Sequence, residues 1–109
     1  MAFALIDDGL PDNTKVKPLS DGAWRLYVTG IIYCARNLTD GHIDPRTVRE
    51  LAAGRRKFIS ELVRANLFHE NGDGGFVIHD YLDHNRPAEE VKRKRAEAAK
   101  RMRQLRAKA

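Results

Sequence analysis

Residues 44–66 read DPRTVRELAAGRRKFISELVRAN, and this stretch decides the fold. Asp44-Pro45 is a strong helix start, because an aspartate side chain can cap free backbone amides and a proline in the first turn has no amide to lose. The spacing predicts a helix that ends at Gly54 and buries Val48, Leu51 and Ala52. It then predicts a helix over residues 55–66 that turns Ile59, Leu62 and Val63 inward. Two short helices joined by a glycine-containing turn indicate a helix-turn-helix.

A longer helix precedes this stretch. Ser20 is a typical N-cap, and Asp21 in the first turn suits the helix dipole. Apolar residues then follow at steps of three and four, and they predict one buried stripe on a helix ending near residue 37: Trp24, Tyr27, Val28, Ile31, Ala35 and Leu38. We expect Trp24 to be the buried anchor of this helix. Cys34, the single cysteine, lies in the same apolar pattern and is expected to be a buried, chemically idle thiol.

The remaining elements complete an α+β domain. His42-Ile43 has room for a very short strand, and residues 67–69 and 76–79 predict two more strands. The loop between those two contains three glycines, which permit the backbone angles of a hairpin. This order predicts a winged helix-turn-helix, with a three-helix core and a β-hairpin wing, over residues 20–85. Residues 1–19 form an N-terminal arm with a short strand candidate at 3–6, and Pro87 opens a basic C-terminal helix or tail within 86–109.

Charge is distributed unevenly along the chain. Residues 86–109 carry ten Lys/Arg and three Glu, a net charge of +7, whereas residues 1–85 carry ten Lys/Arg and twelve Asp/Glu, a net charge of −2. A mildly acidic body with a strongly basic tail is typical of proteins that bind a polyanion, most often nucleic acid. The alternative is a solvated helical charge run without a partner.

The candidate DNA contacts fall into two sets. In a winged helix the third helix enters the major groove, and the second helix lies near the phosphates. The helix-turn-helix set is therefore Arg55, Arg56, Lys57, Ser60 and Arg64 on the third helix, with Arg46 and Arg49 on the second. Arg56 and Lys57 are the candidates for guanine, although the same residues also fit the solvated face of an amphipathic helix. The tail set, for the phosphate backbone, is Lys92, Arg93, Lys94, Arg95, Lys100, Arg101, Arg103 and Arg106.

Two further patterns leave alternatives open. The wing loop carries Glu70, Asn71 and Asp73 and no cation, so we do not expect it to insert along phosphates. Small and apolar residues of the tail recur at steps of three and four, interrupted by one arginine: Ala88, Val91, Arg95, Ala98, Met102, Leu105 and Ala109. This stripe permits a homodimer through the C-terminal helix, whereas its shortness favours a tail that orders on DNA.

We expect no enzymatic activity. His79, Asp80, Asp83 and His84 are dense enough to suggest a metal site, but their alternation with apolar residues indicates the solvent side of a strand end and turn. The sequence contains no phosphate-binding loop and no convincing pair of nucleophile and base, so neither a cofactor nor a metal is expected. The apolar run at residues 3–6 is too short for a signal peptide or a membrane span, which predicts an intracellular protein without a membrane partner.

The chain resembles a family of actinobacterial phage and prophage proteins, which are helix-turn-helix DNA-binding or replication-initiator (replisome-organiser-like) proteins. The resemblance is carried in order by Asp7-Asp8-Gly9, Lys15-Val16, Leu19-Ser20, Arg25-Leu26-Tyr27-Val28, Leu38-Thr39-Asp40-Gly41, Glu61-Leu62-Val63, Ile78-His79-Asp80-Tyr81-Leu82 and Arg101-Met102-Arg103-Gln104-Leu105-Arg106. It implies double-stranded DNA binding in phage replication initiation or transcription regulation, in the bacterial cytoplasm or nucleoid, with replication or transcription proteins as further partners. The rival hypothesis is a protein-interaction adaptor that uses the winged helix as a scaffold and the tail to dock on a partner.

Overall fold

Helices and a small antiparallel sheet make up the structure, a computed structural model that describes residues 3–108. The elements, in chain order, are a 3-10 helix (Leu10–Asp12), α1 (Asp21–Asn37), β1 (His42–Ile43), α2 (Pro45–Leu51), α3 (Arg56–Arg64), β2 (Phe68–Glu70), β3 (Phe76–Ile78), α4 (Tyr81–His84) and α5 (Ala88–Lys108). The three strands form one antiparallel sheet in the order β1-β3-β2. The predicted α+β class is confirmed, and so is the predicted order of helices and strands from Ser20 to Ile78.

Helix α1 begins at its predicted cap, and of the predicted stripe it buries Tyr27 and Ile31. The Ser20 hydroxyl accepts a hydrogen bond from the Ala23 amide at 3.3 Å. The buried residues are Ala23, Leu26, Tyr27, Gly30, Ile31 and Cys34. The expected anchor, Trp24, is only half-buried, as are the other expected stripe members Val28, Ala35 and Leu38. The prediction was wrong here because α1 is apolar on more than one side, and its small residues permit the closest packing: a side chain at Gly30 would meet Ile43, Phe68 and Ile78.

Helices α2 and α3 form the predicted pair, each slightly shorter than expected. The Asp44 carboxylate caps α2 by accepting from the Thr47 amide at 3.1 Å. The turn to α3 passes through Gly54, whose φ of +72° favours glycine. Helix α3 packs on the first turn of α1, where the Phe58 ring occupies the space that a side chain at Gly22 would need. Leu62, on the inner side of α3, is fully buried.

The sheet closes the core opposite these helices. In β2 and β3, Phe68 pairs with Ile78 and Glu70 with Phe76, while in β1 Ile43 also pairs with Phe76. The Asn71 amide donates to the Gly75 carbonyl at 3.0 Å and closes the hairpin loop. Phe68 is the largest fully buried side chain, and its ring lies against those of Tyr27 and Phe76, with centroids 6.5 and 5.9 Å away. Strand β2 therefore supplies the centre of the core.

The N-terminal arm packs on this body without forming a strand. The strand candidate at residues 3–6 was wrong, because the Leu5 backbone pairs with a side chain instead of another strand. The buried Asn85 amide oxygen accepts from the Leu5 N–H at 2.8 Å, and its nitrogen donates to the Leu5 carbonyl at 3.1 Å. Further along the arm, Val16 is buried in the core. The N-terminal arm is irregular apart from its 3-10 helix, and it packs on the core.

The C-terminal helix is anchored to the body at its first turn and lines a cavity with the arm and α1 as far as Ala98. The Ala88 amide donates to the Asp40 carboxylate at 2.7 Å, Ala88 is buried, and Val91 is half-buried. Residues 92–108 are all exposed, so α5 projects and gives the molecule its long dimension of 57 Å. Helix α4, a short turn after Asp80, was not predicted. Across residues 3–108 the structure contains no helix with the length and apolar character needed to span a membrane.

Candidate nucleic-acid interface

Helix α3 separates an apolar inner side from a cationic outer side. The predicted residues Arg55, Arg56, Lys57, Ser60 and Arg64 are all exposed, whereas Phe58, Ile59 and Val63 are half-buried and Leu62 is fully buried. Arg56, Ser60 and Arg64 lie at steps of four, and so form one row along the outer side. None of the four cations forms an ion pair with another described residue. The outer side of α3 therefore presents positive charge without a direct ion pair, although the Glu61 carboxylate interacts with Arg64 and Lys57 and the Lys57 ammonium lies 5.1 Å from the centre of the Phe58 ring.

The single acid of α3 faces away from this row. Glu61 accepts two hydrogen bonds from Ser20, one from its amide and one from its hydroxyl, both at 2.6 Å. These hydrogen bonds, the hydroxyl first, hold the pKa of the Glu61 carboxyl below its ordinary value. The carboxylate is thus directed to the start of α1, where it fixes α3 against that helix.

Helix α2 contributes less free charge. The Arg46 guanidinium pairs with the Glu50 carboxylate at 3.2 Å on the exposed surface, and the Arg49 Nε donates to the Pro45 carbonyl at 3.3 Å. Both arginines remain exposed, as their predicted role near phosphates requires. The β2–β3 hairpin carries exposed Glu70 at the end of β2 and exposed Asp73 in its loop. It has no lysine or arginine.

Helix α5 carries the second basic surface. All eight predicted tail cations are exposed: Lys92, Arg93, Lys94, Arg95, Lys100, Arg101, Arg103 and Arg106. Only Lys94 among them is paired within the described chain, with Glu90 at 3.3 Å. The other seven are free to meet an external anion. Ala109, the last member of the predicted small and apolar stripe, lies outside the described residues.

The two basic surfaces lie toward opposite ends of α1. Helix α3 packs on its first turn through Glu61 and Phe58, whereas α5 is anchored to Asp40, just beyond its last turn. Helix α1 has 17 residues and spans about 25 Å at 1.5 Å per residue. The structure therefore does not gather all the predicted DNA-binding residues into one patch; it divides them between two separated surfaces.

A histidine pair at the base of the hairpin was missed by sequence reasoning. His69 Nε2 lies 2.8 Å from His79 Nδ1, and His79 Nε2 lies 3.1 Å from an Asp80 carboxylate oxygen. The strand register accounts for the pairing, since His69 pairs with Val77 and is thus a diagonal neighbour of residue 79. The sequence pattern groups His79 with Asp80, Asp83 and His84, and not with His69. Within residues 3–108 no three such side chains converge in a geometry that would hold a metal ion.

The nucleophilic side chains of the core are not activated. Burial raises the pKa of the Cys34 thiol, which favours the unreactive protonated form. Burial also raises the pKa of Tyr81 to about 12. The predicted idle role of Cys34 agrees with its burial.

Comparison with protein-family models, with curated proteins and with solved structures finds no match for this chain.

Proposed function

We propose that this chain is a double-stranded DNA-binding protein of the winged helix-turn-helix type. The order of its elements, the antiparallel sheet β1-β3-β2 and the glycine turn between α2 and α3 support this architecture. The observation that carries the proposal is the outer side of α3 together with its N-cap Arg55, where four cations without an ion pair and a serine lie exposed opposite a buried apolar side. A helix with this polarity fits the major groove, which is about 12 Å wide.

In the proposed complex α3 reads bases. Arg56 and Lys57 donate to the O6 and N7 acceptors of guanine, and Ser60 lies one turn further along. Arg64 contacts a phosphate at the groove edge, with Arg46 and Arg49 of α2 as further backbone contacts. The Glu61 carboxylate is held at Ser20, on the side of α3 toward α1, and its negative charge partly offsets the charges of Arg64 and Lys57.

Helix α5 supplies affinity rather than specificity. Its cations surround most of the helix, so it meets phosphates without a fixed register. Its separation from α3 means that the two helices contact different parts of one duplex. The acidic hairpin loop stays off the backbone, because Glu70 and Asp73 would be repelled by phosphates.

The biological setting we propose is phage or prophage replication initiation or gene control, in the bacterial cytoplasm or nucleoid. Selection of bound fragments from the encoding genome, in excess random competitor DNA, tests the proposal. We expect a few duplex fragments to be enriched. An enriched origin of replication would indicate a role in initiation, and an enriched promoter would indicate gene control.

A protein-interaction adaptor is the second candidate function. It is favoured by the acidic hairpin loop and by the exposure of α5, whose Met102 and Leu105 are 52% and 63% exposed. Retention of no fragment above random competitor in the selection would refute sequence-specific DNA binding and leave the adaptor as the better account.

A further inference from the structure

A groove that the proposed function does not use lies between the N-terminal arm and the core. This arm groove has a volume of about 320 Å³. Its apolar lining comes from the arm, from α1 and from the sheet, and includes Leu5, Ile6, Leu10, Ile31, Leu67 and Ile78. Leu5 and Ile6 are 47% and 43% exposed, so part of this apolar lining is open to solvent.

The rim of the arm groove is acidic. Asp7, Asp12 and Asp80 line it, and Lys15 is its one lysine or arginine within residues 3–108. Asp7 uses one carboxylate oxygen to accept from the Gly9 amide at 2.7 Å, and Asp80 has His79 as its neighbour at 3.1 Å. The negative charge of Asp80 also contributes, after burial, to the raised pKa of Tyr27 on the groove lining. An occupant that matches this groove is apolar along one side and cationic beside it.

The far half of α5 has this character. Ala98, Met102 and Leu105 lie at steps of four and three and so share one side of the helix. Arg101 and Arg106 flank that side, and both are exposed. Ala98 also lines a cavity with Phe3 and Leu5 of the arm, whereas Met102 and Leu105 beyond it are 52% and 63% exposed.

The far half of α5 cannot reach the arm groove of its own molecule. Residues 88–108 contain neither glycine nor proline, so α5 has no residue that favours a break, and it projects from the body as one helix. The arm groove that can receive it is therefore that of another molecule.

We propose that the far half of α5 docks in the arm groove of a second copy of this chain. Met102 and Leu105 cover the exposed apolar lining, while Arg101 and Arg106 meet the carboxylates of the rim. The contact joins two different surfaces, so copies associate head to tail, or exchange tails reciprocally in a closed dimer. The contact uses Arg101 and Arg106, which also belong to the proposed DNA-binding residues, but it forms without DNA.

Sedimentation velocity on the DNA-free protein tests this inference. The weight-average mass should rise with protein concentration at low salt and return to that of the monomer at high salt, because the rim contacts are exposed and screened. Two variants remove one surface each: Asp12→Lys/Asp80→Asn changes the groove, and Arg101→Glu/Arg106→Glu changes the tail. Each variant alone should associate at least about tenfold more weakly. Glu50→Lys/Glu70→Gln changes the charge of the body by the same amount outside the groove and should associate like the parent.

The groove variant on its own decides between head-to-tail docking and pairing of two tails, because pairing of two tails would leave its association unchanged. Mixing then tests whether the two native surfaces complement each other. The groove variant keeps a native tail and the tail variant keeps a native groove, so an equimolar mixture should recover association that neither shows alone. A parent protein that stays monomeric at every concentration overturns the proposal. So does a groove variant that associates as strongly as the parent, or a mixture that recovers nothing. Far-UV circular dichroism melts establish that each variant is folded, and Asp80→Asn keeps a residue that tolerates the positive φ of that position.

Discussion

Replacing Phe68 with alanine should remove most of the stability of this domain. Phe68 is fully buried, and its ring contacts Tyr27, Phe76 and the space left by Gly30. Deleting a ring at such a site costs about 3–5 kcal/mol, because the lost burial adds to the cost of the cavity. The total free energy of unfolding of a domain of this size is about 5–15 kcal/mol, so the variant should be partly unfolded or close to it. Trp24→Ala should cost only about 1–2 kcal/mol, since the indole is half-buried.

Urea unfolding followed by far-UV circular dichroism measures both losses without relying on Trp24 as the probe. With an m value of about 1–2 kcal/mol/M, Phe68→Ala should lower the midpoint by roughly 1.5 M or more. Phe68→Leu is the milder control, because it retains most of the apolar volume. A loss for Trp24→Ala that equals or exceeds the loss for Phe68→Ala would refute the assignment of the core centre to β2.

Three further outcomes follow from individual contacts. Asn85→Ala removes both hydrogen bonds to Leu5 and should release the arm, seen as faster amide exchange at Leu5 and a stability loss of about 1–3 kcal/mol; unchanged exchange would contradict the clamp. Glu61→Gln should destabilise the protein modestly at pH 7, and the loss of stability relative to the parent should shrink as the pH is lowered below about 4.5. Because the folded pKa of Glu61 is lowered, its ionised carboxylate stabilises the protein above the ordinary pKa of about 4.5, and this stabilisation is lost as the pH falls through the folded pKa. Glu50→Gln is the control. Truncation after Val91 should leave the body folded and reduce the slope of log affinity against log salt by about 0.9 for every phosphate that α5 neutralises in the full chain; an unchanged slope would remove α5 from the DNA interface.

Local signals in the sequence were sufficient for the helices and strands that begin or end at a chemically distinctive residue. Ser20, Asp44-Pro45, Gly54 and the glycine-rich loop each act on their nearest neighbours, and the structure follows them. The exposed cations of α3 were also predictable, because Leu62 and its apolar neighbours define the inner side of a short amphipathic helix.

The features that sequence reasoning missed depend on contacts between distant residues. Helix α1 is apolar on several sides, so its buried stripe is set by the approach of Phe68 and Phe58 to Gly30 and Gly22. The docking of the arm depends on Asn85, eighty positions away from Leu5. The pairing of His69 with His79 depends on the strand register. No local sequence pattern identifies any of these partners.

The most direct measurement of the central claim compares one α3 arginine with one α5 arginine on two DNAs. Fluorescence anisotropy at one fixed salt concentration gives the affinity of Arg56→Ala and Arg101→Ala for a selected site and for random duplex, with Arg36→Ala as an exposed arginine outside both surfaces. Arg56→Ala should lose about 1–3 kcal/mol on the selected site and little on random DNA, because a base contact discriminates between sequences. Arg101→Ala should weaken both nearly equally, because phosphates carry no sequence information. An equal loss on both DNAs for Arg56→Ala would contradict the claim that α3 reads the sequence.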